Sequence, residues 1–218
     1  MPKPAKPNLV AEPTVYVVDD DPQVRKSLCL IAQSVQLNVE AYETAQEFLD
    51  NYRPDRPGCL VLDVCLPGMN GLELQSRMAS LNICLPTIIV TAYGEVPMAV
   101  RAIKAGALDF IQKPYGRQEM VDRIQEAVSR DLAQRRETRK RDSAVARLAS
   151  LSPREREVME LFVSGKNTKK IATLLKISAK TVDFHRWNVL EKMHAKNMVD
   201  LAHHVARYLK SPPDPSSD

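Results

Sequence analysis

The chain has 218 residues, 44% hydrophobic and 27% charged, a balance that supports one or two packed domains and excludes both a wholly disordered chain and an integral membrane bundle. Its net charge of +4 conceals an uneven distribution, because residues 1–129 sum to −4 and residues 130–218 to +8. An acidic front and a basic back address different partners.

The opening MPKPAKPNLVAEP is broken by prolines and lacks the apolar core of a signal peptide, and no stretch reaches the length of a membrane span. The expectation is a cytoplasmic protein with no membrane partner. Cys29, Cys59, Cys65 and Cys84 lie in the front half with apolar neighbours and no C-x-x-C spacing, so they are expected to be small buried hydrophobes in a reducing compartment. His185, His194, His203 and His204 lie in the back half. This separation disfavours a mixed Cys/His metal site.

After the leader, TVYVV reads as a buried strand, and DPQVRKSLCLIAQSV as a helix opened by Asp21 and Pro22. NVEAY and the helix TAQEFLDNY follow, then the apolar strand CLVLD and the Gly/Pro loop VCLPGMNG. The rhythm continues through the helix LELQSRMAS, the strand TIIVT, the helix VPMAVRAIKAG, the short strand LDFI and a longer helix from about Arg117. Apolar strands alternating with helices predict a doubly wound five-stranded parallel sheet, an α/β fold covered on both faces. The densely charged SRDLAQRRETRKRDSAVARLAS then suits an exposed helical connector. Beyond it LSPREREVMELFVSG opens an all-helical region, with Ser152 as N-cap, Pro153 at N1 and Glu155 at N3. NTKKIATLLKI, SAKTVDFHRWNVLEKMHA and MVDLAHHVARYL supply three more helices. The tail KSPPDPSSD reads as disordered.

Ligands of a doubly wound sheet collect beyond the carboxyl ends of its strands. Asp19 and Asp20 stand at the end of the first strand, Asp63 at the end of CLVLD, Thr91 at the end of TIIVT and Lys113 just after LDFIQ. These residues should converge on one edge. Clustered carboxylates tolerate one another around a hard divalent cation, and Mg²⁺ is satisfied by a few oxygen ligands plus waters. Lys113 can neutralise a carboxylate or hold a phosphoryl oxygen, and Thr91 offers a hydroxyl.

Residues 14–126, with VVDDD, LVLDVCLPGMNGLEL and IIVTAYGEVPMAVRAIKAGALDFIQKPY, resemble the receiver domain of two-component response regulators, a flavodoxin-like fold. The resemblance implies Asp63 as phosphoacceptor, Asp19 and Asp20 as the acidic pair around Mg²⁺, and the backbone carbonyl of Cys65 as a further metal ligand. It implies Thr91 as the switch hydroxyl, Lys113 as the phosphate-contacting lysine, Pro114 in a cis peptide bond and Phe110 as the switch aromatic. Asp21 stays outside this set, as a helix cap. The position two after Asp63, often arginine or methionine in relatives, is Cys65, which leaves the backbone ligand intact but changes access to the phosphoryl group.

Residues 151–209, with LSPREREVMELFVSGKNTKKIA and ISAKTVDFHRWNVLEKMHAKN, resemble the LuxR-type helix-turn-helix domain of the NarL/FixJ group. By matched position Thr168–Leu175 would be the scaffold helix and Ala179–Met193 the recognition helix. Lys180, Thr181, Val182, His185 and Arg186 are then the candidates nearest DNA bases, and Lys169, Lys170 and Asn188 the candidates for phosphate. Trp187 is expected in the core, and Glu155 is expected to fix the first helix against the recognition helix. Relatives usually carry Ser-Asn or Pro-Asn directly before the lysine, whereas here Thr168 stands between Asn167 and Lys169.

The implied domains are a receiver over 12–128, a charged helical linker over 129–148 and a LuxR-type domain over 149–211. The implied partners are a sensor histidine kinase, double-stranded promoter DNA and a second copy of the chain on phosphorylation, with RNA polymerase a further candidate. The chain would take part in its own phosphorylation without turning over an external substrate. Two rival readings are a Mg²⁺-dependent phosphohydrolase, which Cys65 weakens by replacing the second Asp of a D-x-D pair, and a DNA-binding protein whose receiver dimerises independently of phosphorylation.

Overall fold

The computed structural model describes residues 12–92 and 96–208. The proline-rich leader, Tyr93 to Glu95 of the segment after TIIVT, Leu209 and the tail lie outside the described residues. The chain divides into two compact units between Arg135 and Arg136.

The first unit follows the predicted alternation: β1 Thr14–Val18, α1 Pro22–Gln33, β2 Asn38–Tyr42, α2 Ala45–Asn51, β3 Gly58–Asp63, α3 Gly71–Ser80, β4 Thr87–Thr91, α4 Val96–Lys104 and β5 Asp109–Gln112. The strands form one sheet in the order β2-β1-β3-β4-β5, with every pairing parallel. β1, β3 and β4 are buried along their whole length, whereas the edge strands β2 and β5 are only partly covered. Continuous apolar runs are therefore the central strands, as expected for a sheet with helices on both faces.

Strand alternation sorts the core into two layers. Val15 and Val17 of β1, Cys59 and Val61 of β3, and Ile88 and Val90 of β4 pack with Leu28 and Ile31 of α1 and with Met120 and Ile124 of the next helix. The intervening Tyr16, Val18, Leu60, Leu62 and Ile89 pack on the other face with Phe48, Leu74 and Ala102 from α2, α3 and α4. The free cysteines divide differently from the sequence expectation. Cys59 is buried and Cys29 half-buried, but Cys65 and Cys84 are exposed, because one lies in the loop after β3 and the other in the loop before β4.

α5 runs unbroken from Arg117 to Ala149, 33 residues. The connector is thus the continuation of the helix that covers the sheet. Its inner face is tied down at Asp131, which is 2% exposed. Asp131 Oδ2 accepts the Gly58 N–H at 2.8 Å and pairs with Arg135 Nε at 2.6 Å.

The second unit continues with α6 Pro153–Val163, α7 Thr168–Leu175, α8 Ala179–Met193 and α9 Met198–Tyr208. Ser152 and Glu155 form the expected capping box. Val189, Met193, Leu201 and Val205 build one small core with Leu151 and Met159, and Val158, Ile171 and Val182 build another. Glu155 is 4% exposed and accepts from Lys192 Nζ at 2.7 Å, joining α6 to α8. Burial would raise this carboxyl, but the Lys192 ammonium and the Ser152 cap outweigh it and hold it below the usual carboxylate range. Among the described residues no helix is long and apolar enough to cross a membrane.

Candidate functional site

The carboxyl edge of the sheet brings the predicted acidic residues together. Asp19 follows β1, and its carboxylate is pinned by the Asp21 N–H at 3.0 Å while Asp21 itself caps α1. Asp63 ends β3, and its Oδ1 accepts the Cys65 N–H at 3.2 Å. Each of Asp19, Asp20 and Asp63 places one carboxylate oxygen within 4.8 Å of the other two. Asp19 and Asp63 are buried at 1% and 6% exposure, and Asp20 is open to solvent.

Lys113 joins the site from just beyond β5. Its backbone N–H donates to the Thr91 carbonyl at 2.8 Å, and the Lys113–Pro114 peptide bond is cis. Its ammonium lies 2.7 Å from both Asp19 Oδ2 and Asp63 Oδ2. Desolvation raises the Asp19 carboxyl even against the help of Lys113. Burial alone would lower the Lys113 ammonium, yet hydrogen bonds to the two carboxylates outweigh it and hold the ammonium raised. The ion triad therefore compensates charge that would otherwise be stranded in a poorly hydrated cleft.

Thr91 is fully buried at the end of β4, and Phe110 is half-buried in β5 against the α3/α4 face. Gly71, the first residue of α3, abuts the Asp63 carbonyl so closely that a Cβ would overlap it. This contact sets the approach of α3 to the phosphoacceptor candidate, a constraint invisible in the sequence pattern. Arg25 is a second residue missed by sequence reasoning, since its guanidinium donates to the Asp19 carbonyl at 2.6 Å and to Glu43 at 3.3 Å. Three carboxylates with one solvent-open member make an oxygen-rich donor set compatible with a divalent metal.

In the helical unit the nucleic-acid candidates separate. Lys169, Lys170 and Lys180 are exposed, and the Lys170 N–H caps on Asn167 at 2.9 Å. Thr181 is tied to the Ser178 cap by its backbone N–H at 3.0 Å and by its hydroxyl at 2.8 Å. Asn188 is half-buried. Val182 corrects the sequence expectation: it is 0% exposed and packs against Val158 and Ile171, so it holds α8 in the domain and has no surface to offer a duplex. His185 is half-buried with Nδ1 inward and without a hydrogen-bond partner among the described residues. Arg186 pairs with Asp183 at 3.3 Å and lies over the Phe162 ring at 5.9 Å, contacts within its own domain. Trp187 is the converse correction. Expected in the core, it is 61% exposed.

Two regions of the chain match known protein families. Residues 15–125 match the response regulator receiver domain, and residues 149–205 match the luxR family of bacterial regulatory proteins. Nodulation protein W of Bradyrhizobium diazoefficiens is 42% identical over 187 residues, covering 86% of this chain and 82% of that protein. Transcriptional regulatory protein FixJ of Rhizobium meliloti is 41% identical, covering 86% of this chain and 92% of that one. Among solved structures, response regulator StyR superimposes with a TM-score of 0.85 at 38% identity, covering 91% of this chain and all of that one. Full-length FixJ from B. japonicum gives 0.56 at 36% identity, covering 93% and 100%.

The fold and site define a receiver joined to a helix-turn-helix output domain. The chain belongs to the response regulators of the FixJ/NarL family. Its receiver is phosphorylated on an aspartate and so controls a LuxR-type DNA-binding domain, acting on itself and not on an external substrate.

Proposed function

We propose that Asp63 is the phosphoacceptor, that Asp19, Asp20 and Asp63 hold Mg²⁺ together with the backbone carbonyl of Cys65, and that Thr91 and Phe110 report phosphorylation to the rest of the receiver. The observation that carries this reading is the 2.7 Å contact of one ammonium, Lys113, with both Asp19 and Asp63.

The donor is a phosphohistidine on a partner sensor kinase. An Asp63 carboxylate oxygen attacks phosphorus, a P–O bond forms, and the P–N bond breaks with its electron pair returning to the imidazole. Mg²⁺ when bound supplies charge neutralisation and orientation of the transferring group. Lys113 exchanges a carboxylate for a phosphoryl oxygen, and the Thr91 hydroxyl donates to another. The space Thr91 leaves on moving is filled by Phe110, which shifts the receiver toward a conformation with higher affinity for a second copy of the chain. Differential affinity between the two conformations is the requirement for any such population shift.

The output is promoter DNA. Lys169, Lys170, Lys180, Thr181 and Asn188 supply its phosphate and groove-edge contacts, and the function divides among a receiver over 12–128, a linker over 129–148 and a DNA-binding domain over 149–211. Incubation with acetyl phosphate and Mg²⁺ tests this: the wild type acquires a phosphate that alkali and hydroxylamine remove, becomes dimeric and binds duplex DNA more tightly. The Asp63→Asn variant does none of these. Equal phosphate uptake by that variant would move the acceptor elsewhere.

A further inference from the structure

α8 presents two opposed stripes. Val182, Val189 and Met193, at i, i+7 and i+11, are at most 1% exposed and form the core side. Lys180, Phe184, Trp187 and Glu191, at i, i+4, i+7 and i+11, are all exposed, Phe184 at 59% and Trp187 at 61%. Two large aromatic side chains one turn apart in water are unfavourable unless something covers them, and a patch of this kind rimmed by polar groups marks a recognition surface.

We propose that Phe184 and Trp187 are specificity-determining residues of the DNA interface and that they recognise the C5-methyl groups of thymine in the major groove. The inference rests on the DNA-binding reading above. α8 follows the tight turn after α7, where Lys176 takes a left-handed conformation and Ser178 caps the new helix. Lys180 stands one turn before Phe184 on the same stripe, and Asn188 flanks Trp187. Arg186, the residue type that most often reads guanine, is held by Asp183 and Phe162. The exposed stripe consequently has few groups for a purine edge and a large apolar area. The apolar group that a duplex displays in its major groove is the thymine methyl. The indole N–H of Trp187 adds a single donor, suited to the neighbouring thymine O4 acceptor. Exposed Lys169 and Lys170 at the start of α7, and the +8 of residues 130–218, favour a polyanion over an apolar protein surface as occupant.

The test uses the full chain with Mg²⁺ and acetyl phosphate and duplexes selected from a random-sequence pool. Each thymine is replaced in turn by uracil, which keeps base pairing and removes only the methyl. Affinity of the wild type should fall about fourfold per methyl lost at one or two positions of each half-site. In a Phe184→Ala, Trp187→Ala variant this sensitivity should vanish and sequence preference should drop at least about tenfold. Binding to unselected DNA and its salt dependence should persist, since the lysines remain. Insensitivity of the wild type to every uracil overturns the inference, and so does a double variant that keeps the selected preference; either result assigns the aromatic pair to a protein partner. A wild type that binds no duplex at low salt overturns the DNA-binding reading itself.

Discussion

Lys113 Nζ is equidistant from Asp19 and Asp63, 2.7 Å from each carboxylate. One cation is thereby shared by two buried anions that come from strands 44 residues apart in sequence. Lys113→Ala should destabilise the metal-free receiver by about 2–4 kcal/mol, because it strands two carboxylates with little hydration. Added Mg²⁺ should recover much of that loss. Urea denaturation with EDTA and with Mg²⁺ measures both, and an equal deficit in the two conditions would contradict the shared role of the acidic cluster.

Gly71 leaves no room for a side chain beside the Asp63 carbonyl. Gly71→Ala should cost about 1–3 kcal/mol of stability through overpacking, and should slow phosphate uptake from acetyl phosphate by displacing the β3–α3 loop. Unchanged uptake in a folded variant would show that the position of α3 is not transmitted to Asp63.

Asp131 anchors α5 from inside the receiver through Gly58 and Arg135, and Arg135 also donates to the Pro54 carbonyl at 2.6 Å. Asp131→Ala orphans the buried Gly58 N–H and takes the carboxylate partner from the Arg135 guanidinium, a loss of about 2–3 kcal/mol. Hydrogen exchange should rise at Gly58 and along α5 near Asp131 in particular. Uniform protection in the variant would remove the anchoring role.

The Glu155 carboxyl is held below its unfolded value by Lys192 and the Ser152 cap, so the stability it contributes is complete above the unfolded pKa and disappears as pH falls through the folded one. Glu155→Gln should destabilise the helical unit by about 1–2 kcal/mol at pH 7, discounted for the partial exposure of Lys192. The difference from wild type should close below about pH 4. Thermal midpoints across this range decide it, and a gap that widened in acid would reverse the assignment.

Much of the receiver site was legible because its residues are marked twice, by chemistry and by place. Asp19, Asp63, Thr91 and Lys113 each sit at or just after the end of an apolar strand, and parallel strands deliver their carboxyl ends to one edge. The residues of α8 were harder to read. Lys180 and Val182 are two positions apart on a helix that needs one face for packing, yet residue type alone did not reveal that Val182 would be fully buried and Trp187 exposed. That division depends on where α6 and α7 press against α8. The mean polarity of the segment does not encode it.

By itself the sequence determined the order of elements, the helix starts at Asp21 and Ser152, and the candidate chemistry at the strand ends, since caps and strand periodicity are local properties of the chain. Tertiary structure alone decided that Lys113 bridges Asp19 and Asp63, that Gly71 abuts the Asp63 carbonyl, and that Phe184 and Trp187 face outward. The physical reason is the same in each case. Contact between residues distant in sequence, and the choice of which helical face is buried, follow from packing against other elements and are not written in any one of them.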